Sequence, residues 1–257
     1  MFKTVGFIGC GNMGGALARA AAKNIGVKII LYDTDSEKAR ELSKEIGGEA
    51  GDLSAAAGCD CVFLGVKPQI IDGVLKSLAP LINKSTLLVS MAAGVAISRI
   101  RAIPAPIIRI MPNLAASVGE AMILWAADGA DENQKADFCA LLSPAGQLLN
   151  IEESKIDAAS AISGCGPAYA FMFAEALADA GVSIGLRRED ALLLAAQTLL
   201  GSARLMLDTK EHPEALKDRV CSPGGTTIAG VLALERGGFR AACANAVISA
   251  YEKTKKL

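Results

Sequence analysis

Residues able to do chemistry concentrate in two short stretches. The first to consider lies late in the chain: Cys221-Ser222-Pro223-Gly224-Gly225-Thr226-Thr227, ahead of a periodic apolar run of Ile228, Ala229, Val231, Leu232 and Leu234. Ser222 is a good N-cap type, and Pro223 suits the first helical position, where a missing N–H costs nothing. Gly224 and Gly225 add no side chain, so a ligand can approach the backbone. The N–H groups of that first turn point outward, and the helix dipole favours an anion there. Thr226 and Thr227 add two hydroxyls, and the stretch contains no Lys or Arg. This is the pattern of a seat for a small carboxylate with a neutral hydrogen-bond donor beside it. An ordinary capped helix start with a tight turn carries the same local signature.

The second stretch opens the chain. An apolar run, Thr4-Val5-Gly6-Phe7-Ile8, leads into Gly9-Cys10-Gly11-Asn12-Met13-Gly14 and then an alanine-rich helical run, 16–22. A second apolar run, 27–32, ends on Asp33, nineteen residues past Gly14. Strand, glycine turn, helix and acid in this order form the dinucleotide fingerprint. Its first glycine makes the turn, its second admits the pyrophosphate, and its third lets helix pack on strand. The acid, expected about twenty residues on, binds ribose hydroxyls. A glycine turn that merely packs a helix on a sheet is the bland alternative.

The elements that must position these stretches alternate. Helical patterns are predicted at 36–46, 54–57, 70–78 and 131–142, and strands at 60–66, 86–90, 107–110, 119–127 and 147–151. Repeated strand–helix units predict a parallel sheet with helices on both faces. The 60–66 strand ends at Lys67-Pro68, at a sheet edge where ligands bind in open α/β folds. After residue 152 strands disappear. Helices are predicted at 167–184, 189–207, 213–220 and 239–255. The expected fold is therefore α/β: a Rossmann-like dinucleotide-binding domain over 1–153, then an all-helical dimerisation domain over 154–257. The 167–184 and 189–207 runs are apolar on nearly every side, which predicts burial in a dimer core. Glu175, Asp179, Gln197 and Arg204 interrupt them, which argues against membrane spans.

Composition agrees. In 257 residues, 52% are hydrophobic and only 4% aromatic, enough for a large core with surplus for a subunit interface. A net charge of −1 offers no global field for nucleic acid or an acidic membrane. Seven cysteines, an odd number in apolar segments, suit a reduced cytoplasmic protein better than a disulfide framework. Cys59-Asp60-Cys61 lacks metal-finger spacing, and no metal site is expected. Residues 1–9 are too short and glycine-rich for a signal peptide.

With these residues in view, the chain resembles the pyrroline-5-carboxylate reductase family over essentially its whole length. The most specific matches are Glu211-His212-Pro213, Leu216-Lys217-Asp218, the 221–227 stretch, Leu234-Glu235 and Gly238-Phe239-Arg240. Gly164-Cys165-Gly166-Pro167-Ala168-Tyr169, Val66-Lys67-Pro68-Gln69, Ala92-Ala93-Gly94 and Met111-Pro112-Asn113 also match. The resemblance implies reduction of the cyclic imino acid 1-pyrroline-5-carboxylate to proline with NADPH or NADH. It implies that Gly9, Gly11 and Gly14 hold the pyrophosphate, with Asn12 and Met13 lining the turn. Lys67 and Pro68 would border the adenosine side, and Ala92, Gly94 and Asn113 the nicotinamide. Ser222, Gly224, Gly225, Thr226 and Thr227 would hold the substrate. Thr227, the implied catalytic residue, would bond the ring nitrogen as an orienting donor or relay. Domain-swapped dimers, stacked into decamers, are the implied assembly. Asp33 departs from the Ser, Thr or basic residue of many relatives described as using NADPH. It would repel a 2′-phosphate, with Thr34, Ser36 and Lys38 near enough to offset that in part.

Two rivals predict different features. A related two-domain hydroxyacid or imine reductase needs a catalytic Lys on a buried helix, but no Lys lies between Lys155 and Lys210. A non-catalytic dinucleotide sensor predicts a degraded substrate turn, whereas this one is intact. His212, the single histidine, precedes Pro213 at a predicted helix start and reads as structural.

Overall fold

The structure is a computed structural model and describes residues 1–255. Its elements follow the alternation closely. Thr4–Ile8 (β1), Asn12–Ala21 (α1), Lys28–Tyr32 (β2) and Ser36–Ile46 (α2) come first. Glu49–Ala50 (β3), Leu53–Ala57 (α3), Cys61–Leu64 (β4), Ile71–Leu78 (α4), Leu87–Ser90 (β5) and Ile97–Ile100 (α5) follow. Then come Ile107–Met111 (β6), Ala121–Asp128 (β7), Glu132–Leu142 (α6), Gly146–Asn150 (β8) and Glu153–Ser163 (α7). Local chemistry sets several ends. Asp35 caps α2 by accepting the Glu37 N–H, and Gly47 at φ 70° closes it. Asp131 and Gln134 form a reciprocal capping box on α6.

The strands form one sheet in the order β3-β2-β1-β4-β5-β6-β7-β8. Helices cover both faces, and so there are two cores. Val5, Phe7, Leu31 and Phe63 pack with α1 on one face. Ile8, Val62, Leu64 and Leu75 pack on the other. The rings of Phe7 and Phe63 stack across β1 and β4 at 4.6 Å.

The expectation of a wholly parallel sheet needs correction. β6 and β7 pair antiparallel, and β7 with β8 parallel, so the last two strands run against the other six. The reason lies in the connection. Between β6 and β7 the chain has only a short 3₁₀ segment, Leu114–Val118, before turning back. A parallel return needs a crossover of a dozen or more residues. A second difference is α7, which the sequence pattern did not announce. Its buried residues are only Ile156, Ser160 and Ala161.

Charge adds to the small apolar contact that α7 makes through Ile156 and Ala161. Arg109, buried in mid-β6, donates to Asp157 Oδ1 at 2.6 Å and lies 3.5 Å from Glu153 Oε1. The same Glu153 oxygen accepts the Ile97 N–H at 2.6 Å, at the start of α5. One buried cation thus ties α7 to the sheet, and one of its partners also caps a neighbouring helix.

The chain divides into two compact units, Met1–Cys165 with the last turn from Tyr251, and Gly166–Ala250. The second contains Gly166–Ser183 (α8), Arg188–Thr209 (α9), Pro213–Arg219 (α10), Thr226–Arg236 (α11) and most of Phe239–Thr254 (α12). α8 and α9 form an antiparallel pair, joined through Gly185 at φ 102°. They approach closely because the facing residues are small. Ala178, Gly181, Ala191 and Ala195 are buried, and a Cβ on Gly181 would lie 3.1 Å from Ala191 Cβ. The larger apolar side chains lie outside this seam, with Met172 70% and Leu193 69% exposed.

Removing one partner from a buried ion pair typically costs 3–5 kcal/mol. Asp157 is partly solvated and Glu153 remains, so Asp157→Ala should cost about 1–2 kcal/mol. In a unit of this size that lowers Tm by about 2–8 °C. Arg109→Met should cost less, because it removes the buried charge and leaves two carboxylates that reach water. Calorimetry of both variants checks the order, and an unchanged Tm in Asp157→Ala would contradict it.

Candidate functional site

β1 runs into Gly9 at φ 100°, a conformation that suits glycine. A Cβ on Gly9 would sit 2.5 Å from the Gly65 carbonyl oxygen, and one on Gly14 would sit 2.0 Å from the Gly9 carbonyl oxygen. The backbone after β1, the start of α1 and the backbone after β4 are therefore in direct contact. Gly11 is the opposite case. It is exposed, and nothing lies within 4 Å of where its Cβ would be. It N-caps α1 without a side-chain hydrogen bond, which leaves the first-turn amides for an anion. Asn12 is exposed beside it, while Met13 packs against the core under the sheet.

A cavity of about 370 Å³ opens at this point, lined by Gly9, Gly11, Asp33, Thr34, Gly65 and Lys67 among others. It lies where the strand order reverses between β1 and β4, the place where open α/β sheets bind ligands. Asp33 is held by two backbone amides. Its Oδ2 accepts the Cys10 N–H at 2.7 Å, and its Oδ1 accepts the Asp35 N–H at 2.9 Å. Oδ1 also takes the Thr34 hydroxyl at 3.5 Å, so Oδ2, with one donor, is the oxygen with an acceptor site left for a ligand in the cavity. Burial and the Asp33 charge push the Cys10 thiol up to about 12, which keeps it neutral beside the Tyr32 carbonyl.

The remaining residues named from sequence lie along the same carboxyl edge of the sheet but outside this cavity. Pro68 begins a 3₁₀ segment, Pro68–Ile70, behind Lys67. Ala92 is buried after β5, and Gly94 turns at φ 71°. Asn113 follows β6; its Nδ2 donates to the Ser163 carbonyl at 2.8 Å and its Oδ1 accepts the Ala115 N–H at 3.3 Å. It joins the end of β6 to the end of α7. Gly65 was not singled out from sequence, although a glycine directly after a buried strand marks a close backbone approach. A larger, open groove of about 800 Å³ runs past Trp125, Lys135 and Asn150. It is the less convincing site despite its size. Both of its cations are already paired, Arg101 with Asp128 and Lys135 with Glu132.

In the second unit, the 221–227 stretch forms a turn and a helix start, in a different register from the expected one. Ser222 is not the N-cap and Pro223 is not the first helical residue. α11 begins at Thr226 with Gly225 as N-cap, and no side chain bonds its first amides. Pro223-Gly224 instead makes a turn closed by the Gly225 N–H to the Ser222 carbonyl at 3.0 Å, with Gly224 at φ 67°. Proline followed by glycine at positive φ is the type II turn pattern, and it overrode the capping pattern. Ser222 tucks its hydroxyl against Gly225, where a Cβ would come within 2.3 Å of Oγ. Ser222, Gly224, Thr226 and Thr227 are exposed and Gly225 partly so. His212 caps α10, its Nδ1 accepting the Glu214 N–H at 3.3 Å, which is the structural role expected of it. Among the described residues no three His, Cys, Asp or Glu side chains gather to hold a metal ion.

The glycine geometry separates fold from binding. Gly14→Ala forces a Cβ onto the Gly9 carbonyl and should destabilise the first unit by about 1–3 kcal/mol. Gly11→Ala meets no protein atom, so its Tm should stay within about 2 °C while cofactor affinity falls about tenfold or more. Thermal melts with dinucleotide titrations check the pair, and a Gly11→Ala protein that binds normally would rule out pyrophosphate contact there.

The comparisons with known proteins cover both units. Residues 153–257 match the family model for pyrroline-5-carboxylate reductase dimerisation, and residues 4–94 match that for NADP oxidoreductase, coenzyme F420-dependent. The pyrroline-5-carboxylate reductase of Escherichia coli is 41% identical over 266 residues, covering 100% of this chain and 99% of that one. The Coxiella burnetii pyrroline-5-carboxylate reductase structure superposes with a TM-score of 0.92 at 31% identity, covering 99% and 98% of the two chains. The Plasmodium falciparum pyrroline carboxylate reductase, solved with NADP bound, gives 0.86 at 33% identity, covering 99% and 97%. With full-length identity at this level and the same fold, the chain belongs to the pyrroline-5-carboxylate reductase family.

Proposed function

We propose that the chain reduces 1-pyrroline-5-carboxylate to L-proline with NADH or NADPH, the last step of proline biosynthesis. The observation that carries this reading is a pair of glycine-capped helix starts, Gly11 before α1 and Gly225 before α11, neither closed by a side chain. One sits at the crevice of a dinucleotide fold and the other on an exposed hydroxyl-bearing turn.

The residues present fit a nicotinamide dinucleotide. Gly11 leaves the space that a pyrophosphate needs, Gly9 and Gly14 build the turn, and Asn12 and Met13 flank it. Asp33 presents the spare acceptor site of Oδ2 to a ribose hydroxyl, with Lys67 on the cavity wall and Pro68 behind it. Ala92, Gly94 and Asn113 edge the nicotinamide side. When bound, the dinucleotide supplies the hydride. The protein orients the imino acid and places charge. Ser222, Gly224, Gly225 and Thr226 seat the carboxylate on the α11 amides, and Thr227 directs its hydroxyl to the ring nitrogen. Threonine is too weak an acid to protonate the imine at neutral pH. Thr227 therefore serves as an orienting donor, and orientation and electrostatics carry the catalysis.

The functional division falls at 153/154. The helical part self-associates into dimers, and dimers stack into decamers. Supporting this, Phe171, Leu200 and Leu207 are more than half exposed on the single chain. α9 is long and apolar enough to cross a membrane, yet it carries Gln197 and an Arg204–Asp208 pair. Burial against a second copy suits that mixture better than lipid. The protein works in the cytoplasm, without a nucleic-acid or membrane partner.

The direct test is absorbance of the reduced cofactor in a mixture of protein, NADH or NADPH, and pyrroline-5-carboxylate. Substrate-dependent oxidation is expected, and folded protein that binds cofactor without turnover would point to a sensor. Thr227→Ala should reduce turnover about tenfold to a hundredfold, the worth of a 1–3 kcal/mol hydrogen bond, with cofactor affinity unchanged. Thr227→Ser should keep most activity.

Asp33 sets the cofactor preference in this reading. NADH should serve at least as well as NADPH, since the carboxylate accepts from ribose and repels a 2′-phosphate. Asp33→Ser should move the ratio of kcat/KM values toward NADPH. A wild type that already prefers NADPH about a hundredfold, some 2.7 kcal/mol, would show that Asp33 does not read the ribose.

A further inference from the structure

The substrate turn is the tip of a hairpin whose arms are α10 and α11. The tip itself is held only by short-range backbone bonds, Gly225 N–H to Ser222 O and Cys221 N–H to Asp218 O. Neither arm has a buried residue. Packing within the chain therefore does little to fix the angle between them. The contacts that span the arms lie at the opposite end. Glu214 is in the first turn of α10 and Glu235 is in the last turn of α11. Arg240, at the start of α12, donates through Nη2 to Glu214 Oε1 and through Nε to Glu235 Oε1, each at 2.6 Å.

We propose that Arg240 is a positioning residue for the substrate turn, pinning the far ends of α10 and α11 so that residues 221–227 keep one shape. The proposal rests on the assignment of that turn to the substrate. The second Glu214 oxygen takes Lys217 Nζ at 2.5 Å, and Lys217 in turn lies 3.4 Å from Asp218, beside the tip. The cluster thus runs from the base of the hairpin back along α10 toward the turn. Its groups are Glu214, Lys217, Asp218, Glu235 and Arg240, and the cations hold the Glu214 carboxyl down at about 2. Hence the tie stays charged throughout the neutral range. Exposed ion pairs are individually weak. Here the guanidinium uses two separate nitrogens on two helices, neither of which has a buried residue within the single chain. Lysine has one ammonium and cannot reproduce the two-armed geometry.

The test uses the full-length protein with Arg240→Met, Arg240→Lys, Glu214→Gln and the Arg240→Met, Glu214→Gln double variant. Two quantities are read: amide hydrogen exchange over 221–227, and KM for pyrroline-5-carboxylate beside KM for the cofactor. Arg240→Met should speed exchange at the turn and raise the imino-acid KM, each about threefold to tenfold, with cofactor KM within about twofold. Glu214→Gln should give a smaller change in the same direction, and the double variant should be no worse than Arg240→Met alone. Arg240→Lys should recover part of the loss. Unchanged exchange in a folded Arg240→Met protein overturns the tie, whatever the kinetics. Faster exchange with an unchanged imino-acid KM overturns the positioning role. Gly225→Val then locates the fault: a raised imino-acid KM keeps the substrate at the turn, and an unchanged one removes it. If Arg240→Met does not fold, Glu235→Gln cuts one arm and carries the same two readouts.

Discussion

A side chain at Gly14 would put its Cβ 2.0 Å from the Gly9 carbonyl, and one at Gly6 would put it 2.0 Å from the Ala56 carbonyl. These backbone contacts set much else in the first unit. They bring α1 and α3 down onto β1 from the two faces, and they bring the chain after β4 against the chain after β1. With side chains excluded, the carboxyl end of β1 is bare backbone. Asp33 reaches across it and is fastened to the Cys10 amide. A cavity that offers a bare glycine turn, the Asp33 carboxylate and the Thr34 and Lys67 side chains suits a ligand with an anionic linker and hydroxyl groups. The crowding that makes Gly6, Gly9 and Gly14 necessary is thus the same crowding that shapes the cavity.

Much of this was legible in the sequence, because the fingerprint residues act locally. Gly9, Gly11, Gly14 and Asp33 depend on a turn, a helix start and a strand tip within one βαβ unit, and spacing reports all three. What was not legible depends on direction or distance. An apolar strand pattern is the same whichever way the strand runs, so β7 looked like another parallel member. Only the short link through Leu114–Val118 tells otherwise. α7 was missed because Ile156 and Ala161 are too few to make an apolar stripe, and its ion pair, Arg109 to Asp157, spans forty-eight residues. At Ser222-Pro223-Gly224 two local signals competed. Serine before proline suggests a capped helix, whereas proline before glycine suggests a type II turn. Gly224 at φ 67° shows which prevailed, and the helix begins three residues past Pro223. The shift leaves a helix start whose first amides carry no side-chain bond, since the N-cap is Gly225 and not Ser222.

The second unit inverts the usual distribution of apolar residues. α8 and α9 meet through Ala178, Gly181, Ala191 and Ala195, the smallest side chains available, and point Met172, Leu193 and Leu200 away. Small residues at the seam maximise backbone proximity but remove little apolar area from water. At about 25 cal/mol per Å² the larger stabilisation resides in the outward Leu, Met and Phe side chains, and is realised only when something covers them. Soluble monomers rarely leave such contiguous faces open. The same surplus explains a composition that is 52% hydrophobic with a near-neutral net charge. In the proposed dimer those faces become core, and folding of the helical part is inseparable from association.

The proposed chemistry also accounts for what the substrate turn lacks. A cyclic imine accepts hydride most readily when its nitrogen is protonated, so the reacting ring is a cation beside its own carboxylate. A lysine or arginine in the turn would hold the carboxylate more firmly, but its full charge would sit near the iminium and disfavour the protonated form. Tighter holding of substrate and transition state alike would also lower KM without raising kcat. In this reading, backbone amides at the start of α11 would attract the carboxylate through partial charges that fade within one helical turn. The hydroxyl of Thr227 can meet the ring nitrogen without bringing any charge. The cations nearest the turn in sequence, Lys217 and Arg219, are bound to Glu214 and Glu211. Their charge is balanced by these pairs, so the turn stays neutral, as the proposed iminium would require.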